Sequence, residues 1–148
     1  MARAWVAQLE AAAASAKDPA ARRVWDAHRV EAYLALDEPA KIVPMLQQSE
    51  RELPNDYNPP ARLARAYLAL KETQPAKAAI DRALTRCDGP RKLRLYQLKS
   101  DILLAAHDAT GARAALLDAL SFAHEKQFGA QYDKLRQSIE RKVAELSG

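Results

Sequence analysis

An all-α protein, built as an array of antiparallel helix pairs, is the fold class that this sequence predicts. Alanine (32) and leucine (19) dominate its 148 residues, whereas aromatic residues make up only 6%. Proline recurs at regular breaks between alanine- and leucine-rich stretches, and short sequence patterns recur at offsets of 34 to 36 residues. These three features favour small-residue contacts between helices over a β-sandwich or barrel, which would be richer in β-branched and aromatic residues.

The breaks define eight helices. Pro19, Pro39, Pro59, Pro75 and Pro90 each stand at the start of an apolar stretch. Proline fits the first helical turn because its φ is already helical, and the residue before it resists the α conformation and so ends the preceding helix. Apolar residues then recur at helical spacing, and no segment alternates long enough to indicate a strand. The predicted helices span 2–17, 19–36, 39–53, 58–72, 75–87, 90–107, 109–127 and 129–147.

An internal repeat is the most informative feature of the sequence. The tetrapeptide Tyr-Leu-Ala-Leu at 33–36 reappears at 67–70, and Pro-Ala-Lys at 39–41 reappears at 75–77. The segments 76–84 and 112–120 also run in parallel. A period in the mid-thirties with two helices per unit is typical of a helical solenoid.

These repeats resemble the tetratricopeptide repeat family. The resemblance implies a right-handed solenoid with three repeats and a capping helix at each end. The implied units are an N-terminal helix (1–18), a degenerate first repeat (19–55), a second repeat (56–89), a third repeat (90–127) and a C-terminal capping helix (128–148). Residues 56–64 and 89–94 are also similar to the repeat tails of some bacterial multidomain proteins that begin with a thioredoxin-like domain.

The family pattern assigns small and large packing residues to each repeat. In the first repeat the second helix departs from the pattern, and we expect Pro44 to kink that helix because proline cannot donate to the carbonyl of Ala40. The expected packing residues are Val30, Tyr33, Ala40, Pro44 and Gln47 in the first repeat, Ala64, Tyr67, Ala76, Ile80 and Ala83 in the second, and Tyr96, Ser100, Leu103, Ala112, Leu116 and Ala119 in the third.

The sequence offers little to catalysis or to metal binding. The three histidines, His28, His107 and His124, have no partner at a recognised metal-ligand spacing, and the four glycines are isolated rather than grouped in a phosphate-binding loop. We expect Cys87 to be an exposed thiol near a helix C-terminus, with a structural or incidental role rather than that of a nucleophile. We therefore predict a non-catalytic protein with no metal and no cofactor.

The resemblance implies a concave groove lined by the first helix of each pair. A mildly basic net charge of +4 permits an acidic partner, and arginine forms forked hydrogen bonds with carboxylates. We therefore expect a protein or peptide segment to bind in the groove, anchored by leucines and oriented by arginines. The predicted binding residues are Asn58, Arg62, Arg65, Leu68, Arg94, Gln97, Asp101 and Leu104.

One alternative is an enzyme whose active site lies in a partner domain or in an unsuspected pocket, and two other functions also remain open. One is a basic nucleic-acid-binding repeat, which is less favoured because acidic residues are mixed through the same segments. The other is a self-associating scaffold, in which Trp5 and Val6, or Phe128 and Tyr132, pair between copies. The sequence has no apolar run long enough to cross a membrane and no secretory signal, so we expect a cytoplasmic protein with no membrane partner.

Overall fold

The computed structural model describes residues 1–148 and confirms an all-helical protein with eight α-helices and no strand. The observed helix ends differ from the predicted ones by a few residues. None of the helices combines the length and apolar character that crossing a membrane requires. The helices are α1 (Ala2–Ala14), α2 (Pro19–Ala35), α3 (Ile42–Glu52), α4 (Asn58–Ala69), α5 (Thr73–Arg86), α6 (Lys92–Ala105), α7 (Ala109–Glu125) and α8 (Asp133–Glu145). Short 3-10 turns at Pro39–Lys41 and Ala130–Tyr132 precede α3 and α8.

Each helix packs against the next one along the chain. The contacts are most extensive within the pairs α4–α5 and α6–α7, and they are narrower between α2 and α3. Alternate helices also meet, because α4 contacts both α2 and α6. No comparable contact joins α3 with α5 or α5 with α7. The helices therefore form two rows, with α2, α4 and α6 side by side in one row.

The buried positions recur at the period seen in the sequence. Five positions in each helix pair are almost completely buried, and their equivalents lie 34 residues and then 36 residues further along the chain. Side chains at these positions are mostly small or aliphatic, which lets neighbouring helices approach closely. The equivalent sets are Val30, Ala64 and Ser100; Ala32, Ala66 and Ile102; Ile42, Ala76 and Ala112; Leu46, Ile80 and Leu116; and Ser49, Ala83 and Ala119.

In α3, the second helix of the first pair, the buried residues are not the ones that we expected. The predicted packing residues Ala40, Pro44 and Gln47 are all exposed. The buried face lies two residues further on, at Ile42, Leu46 and Ser49. The reason is that residues 39–41 form a 3-10 turn, so the α-helix starts at Ile42. Pro44 then falls in the first turn of α3, where a missing N–H breaks no helical hydrogen bond, and the kink that we expected there is replaced by the start of the helix.

The same backbone turn ends the first helix of all three pairs. Asp37, Lys71 and His107 are 34 and 36 residues apart, and each has a positive φ between 56° and 61°. At Lys71 the amide donates to the carbonyl of Leu68, and the following amide of Glu72 donates to the carbonyl of Tyr67. The equivalent two bonds form after Asp37 and after His107. This arrangement is the Schellman motif, which glycine usually closes.

The end helices cover the two terminal pairs. Leu9 and Ala13 are the buried residues of α1, which packs against α2. In α8, Ile139 is fully buried in a cluster with Leu93, Leu116 and Phe122. Because a terminal repeat otherwise exposes its apolar face, these contacts are what the ends of a helical array require.

Cys87 lies at the end of α5, as the sequence predicts, but its thiol is not exposed. The side chain is only 5% exposed and belongs to the main apolar cluster. The helix ends at Arg86, and the extended backbone at Cys87 turns this side chain inward. Burial as a small apolar residue is a common environment for a free cysteine.

Candidate functional site

The eight predicted binding residues lie on two neighbouring helices of one row. Four of them come from α4 and four from α6, and these two helices are in contact. The side chains differ in exposure. Arg65, Arg94 and Asp101 are exposed, whereas Asn58, Arg62, Leu68, Gln97 and Leu104 are partly buried.

A stripe of leucine and alanine runs across this row of helices. Each of α2, α4 and α6 carries a leucine followed by an alanine at the equivalent position near its C-terminal end. The leucines are half-buried and the alanines are exposed, so the backbone there is reached past a single methyl group. We call this surface the Leu/Ala stripe, and it consists of Leu34, Ala35, Leu68, Ala69, Leu104 and Ala105.

An ion pair connects two helices of the row beside the stripe. Arg65 Nη1 of α4 donates to Glu31 Oε1 of α2 at 2.7 Å, and the two residues are 34 positions apart. Both side chains are about half exposed, at 45% and 56%. A pair this exposed contributes only ~0–1 kcal/mol to stability, so Arg65 can exchange Glu31 for another carboxylate at little cost.

A polar cleft continues the row beyond α6. It has a volume of about 450 Å³ and lies between α6 and α8. Gln97 and Asp101 line it from α6, and Lys142 and Glu145 line it from α8. Ser100 also lines the cleft, and its buried hydroxyl has no hydrogen-bond partner. A buried hydroxyl without a partner is rare in proteins, because leaving it unpaired is unfavourable.

Arg62 is less available to a bound partner than its place in the sequence suggests. It is half-buried, and its Nη1 atom is inaccessible to solvent and has no hydrogen-bond partner. Burial lowers the pKa of the Arg62 guanidinium, whereas the nearby charges of Asp26 and Asp56 act to raise that pKa. Arg62 therefore balances buried acidic groups at the junction of α2 and α4.

Asp26 is a buried acidic residue near Arg62 that sequence reasoning missed. It is fully buried in α2 and accepts a hydrogen bond from Ser49 Oγ of α3 at 2.7 Å. Burial raises the pKa of Asp26, against the lowering effects of the Ser49 hydrogen bond and the arginine charges around it. The repeat offset could have identified it. The positions equivalent to Asp26 in the next two pairs are Pro60 and Tyr96, so a carboxylate at this position departs from the repeat.

The hydrogen bonds of Asn58 are made locally, at the start of its own helix. Its backbone amide and its side-chain Nδ2 both donate to Asp56 Oδ1, each at 2.8 Å. This local arrangement satisfies a backbone donor that a helix start leaves unpaired. The side chain of Asn58 consequently has less free hydrogen-bonding capacity than the sequence indicates.

Arg94 lies apart from Gln97 and Asp101, in a second cavity. This cavity has a volume of about 530 Å³ and lies where the α5–α6 loop meets the start of α8. Arg91, Arg94 and Lys134 line it, together with Tyr57 and Tyr132. The predicted site is thus divided between the Leu/Ala stripe with its polar cleft, and this basic cavity.

The residues considered for self-association have different surroundings. Trp5 is 42% exposed on α1. Phe128 instead packs within its own chain, with ring centroids 5.6 Å from Phe122 and 5.4 Å from Tyr132. The exposed aromatic surface is therefore at the N-terminal end of the array.

The titratable residues do not gather into a cluster suited to a metal ion. His28, His107 and His124 are each exposed and lie on three different segments. No group of three or more histidine, cysteine, aspartate or glutamate side chains is placed to hold a metal ion. The chemistry visible at the two candidate surfaces is hydrogen bonding, charge pairing and apolar contact.

Comparison with known proteins adds no assignment, because no family model matches the chain. A search of curated proteins likewise finds no similar sequence.

Proposed function

We propose that this chain is a tetratricopeptide-like array that binds a peptide segment of a partner protein and catalyses no reaction. In this proposal the three helix pairs form a right-handed solenoid, and the peptide lies across α2, α4 and α6. The mode of binding is docking on a largely preformed surface, which keeps the entropic cost of association low.

The closer contacts within one row of helices favour a groove on this side. Helices α2, α4 and α6 contact one another in turn, whereas no comparable contacts join the helices of the other row. When one row of a stacked array is more closely spaced than the other, the array bends toward that row. The Leu/Ala stripe then lies on the inner surface, where extended peptides bind to curved repeat arrays.

The observation that carries the proposal is the Leu/Ala stripe. Three equivalent half-buried leucines present apolar surface, and three equivalent exposed alanines leave space beside them. Partly exposed leucines anchor a peptide by apolar burial, and small neighbours allow its backbone to approach closely. The polar cleft adds hydrogen-bonding groups beside the stripe, because Gln97 and Asp101 line it from α6.

The charges near the stripe favour a peptide with an acidic side chain. Arg65 is held only by an exposed pair with Glu31, and Lys142, which lines the polar cleft, is held only by an exposed pair with Glu145 at 3.5 Å. Arg62 and Asn58 contribute less than expected, because Arg62 is half-buried and Asn58 is hydrogen-bonded to Asp56. The acidic preference is therefore assigned to Arg65 and Lys142.

Substitutions that cover the Leu/Ala stripe with large side chains test the proposal. Peptides are selected from a random displayed library on the wild-type chain, and their affinities are measured by fluorescence anisotropy. The double substitution Ala69→Trp and Ala105→Trp places large side chains on exposed positions of α4 and α6. We expect it to weaken binding of the selected peptides by about tenfold or more, since it occupies the space for the peptide backbone.

The matched control places the same side chains on the other row. Ala78 of α5 and Ala114 of α7 are also exposed alanines within helices. Ala78→Trp with Ala114→Trp should leave the affinity unchanged. Selected peptides that bind both double variants equally well, or that lose affinity only with the control, would refute the proposed site.

A further inference from the structure

The basic cavity between the α5–α6 loop and α8 is distinct from the Leu/Ala stripe. Arg86 and Arg91 approach it from the end of α5 and the following loop, Arg94 from α6, and Lys134 from α8. Asp88 is its one acidic lining residue. Residues 86–94 and the start of α8, which are distant in sequence, therefore bring four cations and one anion to a single cavity.

Partners elsewhere in the protein neutralise only part of this charge. Arg86 Nη2 lies 3.1 Å from Glu50 Oε1, and Arg86 Nη1 donates to the carbonyl of Asp56. Asp88 is itself paired with Lys126, at 3.4 Å. These contacts account for one cation and for the only anion of the cavity.

Three cations remain without a carboxylate partner. Arg91 Nη1 donates to the hydroxyl of Tyr57 at 3.2 Å and forms no ion pair. Arg94 and Lys134 form neither an ion pair nor a side-chain hydrogen bond. Like charges that converge on one cavity repel each other, and an anion bound between them relieves that repulsion. The unpaired charge of the cavity is thus suited to a ligand with more than one negative charge.

The size and the aromatic lining narrow the ligand class. A cavity of about 530 Å³ is within the usual range for a small molecule, and it is too small for a folded partner. Tyr57 and Tyr132 are half-buried and both line it. Tyrosine rings stack on planar ring systems, while arginine and lysine bind the oxygens of a phosphate group.

We propose that this cavity binds a phosphate monoester attached to a planar ring, with the phosphate at Arg91, Arg94 and Lys134 and the ring at the tyrosines. Two sources share this chemistry, namely a mononucleotide and a phosphorylated tyrosine side chain. This binding site is independent of the peptide stripe, so either proposal can fail without the other.

Calorimetric titration of the full chain at low ionic strength tests the inference. The probes are AMP, phosphotyrosine, inorganic phosphate and adenosine. We expect AMP or phosphotyrosine to bind one to one and about tenfold or more tightly than inorganic phosphate, whereas adenosine should not bind measurably. The tighter of the two ring-bearing probes identifies the source of the ligand.

Removing the unpaired charges should remove binding. Arg94→Gln with Lys134→Gln should weaken the tighter probe by about tenfold or more, without changing the melting temperature, because neither side chain forms an ion pair within the protein. The matched control is Lys17→Gln with Arg51→Gln, which deletes the same two charges at exposed positions outside the cavity. The control should bind as the wild type does.

Three outcomes would overturn the inference. The first is the absence of saturable binding by both ring-bearing probes. The second is binding that Arg94→Gln with Lys134→Gln does not weaken. The third is an equal loss of affinity in the control variant, which would indicate a general charge effect rather than a site.

Discussion

Three equivalent turns each contain a non-glycine residue at the position where glycine is usual. Asp37, Lys71 and His107 adopt the left-handed conformation that closes the Schellman motif. A side chain with a Cβ atom is strained there by ~1–2 kcal/mol, because Cβ approaches the carbonyl oxygen. All three equivalent residues adopt this strained conformation, so the turn is formed in each pair without the glycine that relieves the strain.

Glycine at these turns should therefore stabilise the protein. We expect Lys71→Gly and His107→Gly each to raise the free energy of unfolding by about 0.5–1 kcal/mol, since relief of strain exceeds the added flexibility of the unfolded chain. Urea denaturation followed by circular dichroism measures the change. Lys71→Ala, which keeps the Cβ atom, should give no such gain, and a gain equal to that of glycine would contradict the explanation.

Glu50 should make stability depend on pH. Arg82 donates two hydrogen bonds to it, at 2.8 and 3.0 Å, and Arg86 lies 3.1 Å away. The Arg82 hydrogen bonds, with the arginine charges, outweigh burial and hold the pKa of Glu50 below its ordinary value of 4.5. Because the folded pKa is lowered, the stabilisation is complete above the unfolded pKa and is lost as the pH falls through the folded pKa.

Glu50→Gln should consequently lower the free energy of unfolding by about 1 kcal/mol at pH 7. The difference from wild type should shrink as the pH falls below 4.5. Urea titrations at several pH values measure this dependence. Glu140→Gln, which changes an exposed and unpaired carboxylate of α8, serves as the control and should have no effect. A difference that stays constant as the pH is lowered would contradict the assignment.

At the scale of single elements, the sequence predicted where the helices lie better than it predicted which of their faces are buried. The eight helices followed from proline and from local apolar spacing, which act over a few residues. The buried face of α3 did not follow, because it depends on whether residues 39–41 continue the helix or form a 3-10 turn against α2. An offset of 34 residues from Ala76, Ile80 and Ala83 selects Ile42, Leu46 and Ser49, and this stronger criterion was available in the sequence.

The candidate site was also predictable only in part, because it depends on packing between segments that are distant in sequence. The repeat pattern identified the helices that carry it, and the Leu/Ala stripe recurs visibly in the sequence. The burial of Arg62 near the charges of Asp26 and Asp56 was not visible, since these charges come from three segments. The separation of Arg94 from Asp101 likewise depends on where α8 packs, which local sequence does not specify.

The small residues at helix crossings should tolerate little enlargement. Ala83 of α5 is fully buried and packs in the main apolar cluster, whereas Ala78 of the same helix is exposed. Ala83→Leu should lower the free energy of unfolding by about 1–3 kcal/mol, because added methylene groups force the neighbouring helices apart. Ala78→Leu should change it by less than about 0.5 kcal/mol. Equal effects in urea denaturation would show that Ala83 is not a crossing position.

The molecule as a whole should behave as a chain of nearest-neighbour contacts. Each helix packs mainly on the helices adjacent to it, so a local defect should stay near its position. Ile139 is the buried anchor of α8 against α6 and α7.

Ile139→Ala should therefore weaken one end of the array selectively. Loss of this fully buried side chain should cost about 2–5 kcal/mol locally. We expect faster amide hydrogen exchange in α7 and α8 and unchanged exchange in α2 and α3. Mass spectrometry of peptic fragments resolves these regions, and acceleration spread evenly over all eight helices would indicate one cooperative globule instead.

A crystal structure of the chain, with the pairs α2–α3, α4–α5 and α6–α7 superposed in turn, tests the central claim most directly. The account predicts that one repeated right-handed rotation relates successive pairs and that α2, α4 and α6 line the inner surface. Unrelated rotations between the pairs, or α3, α5 and α7 on the inner surface, would contradict both the repeat architecture and the proposed peptide site.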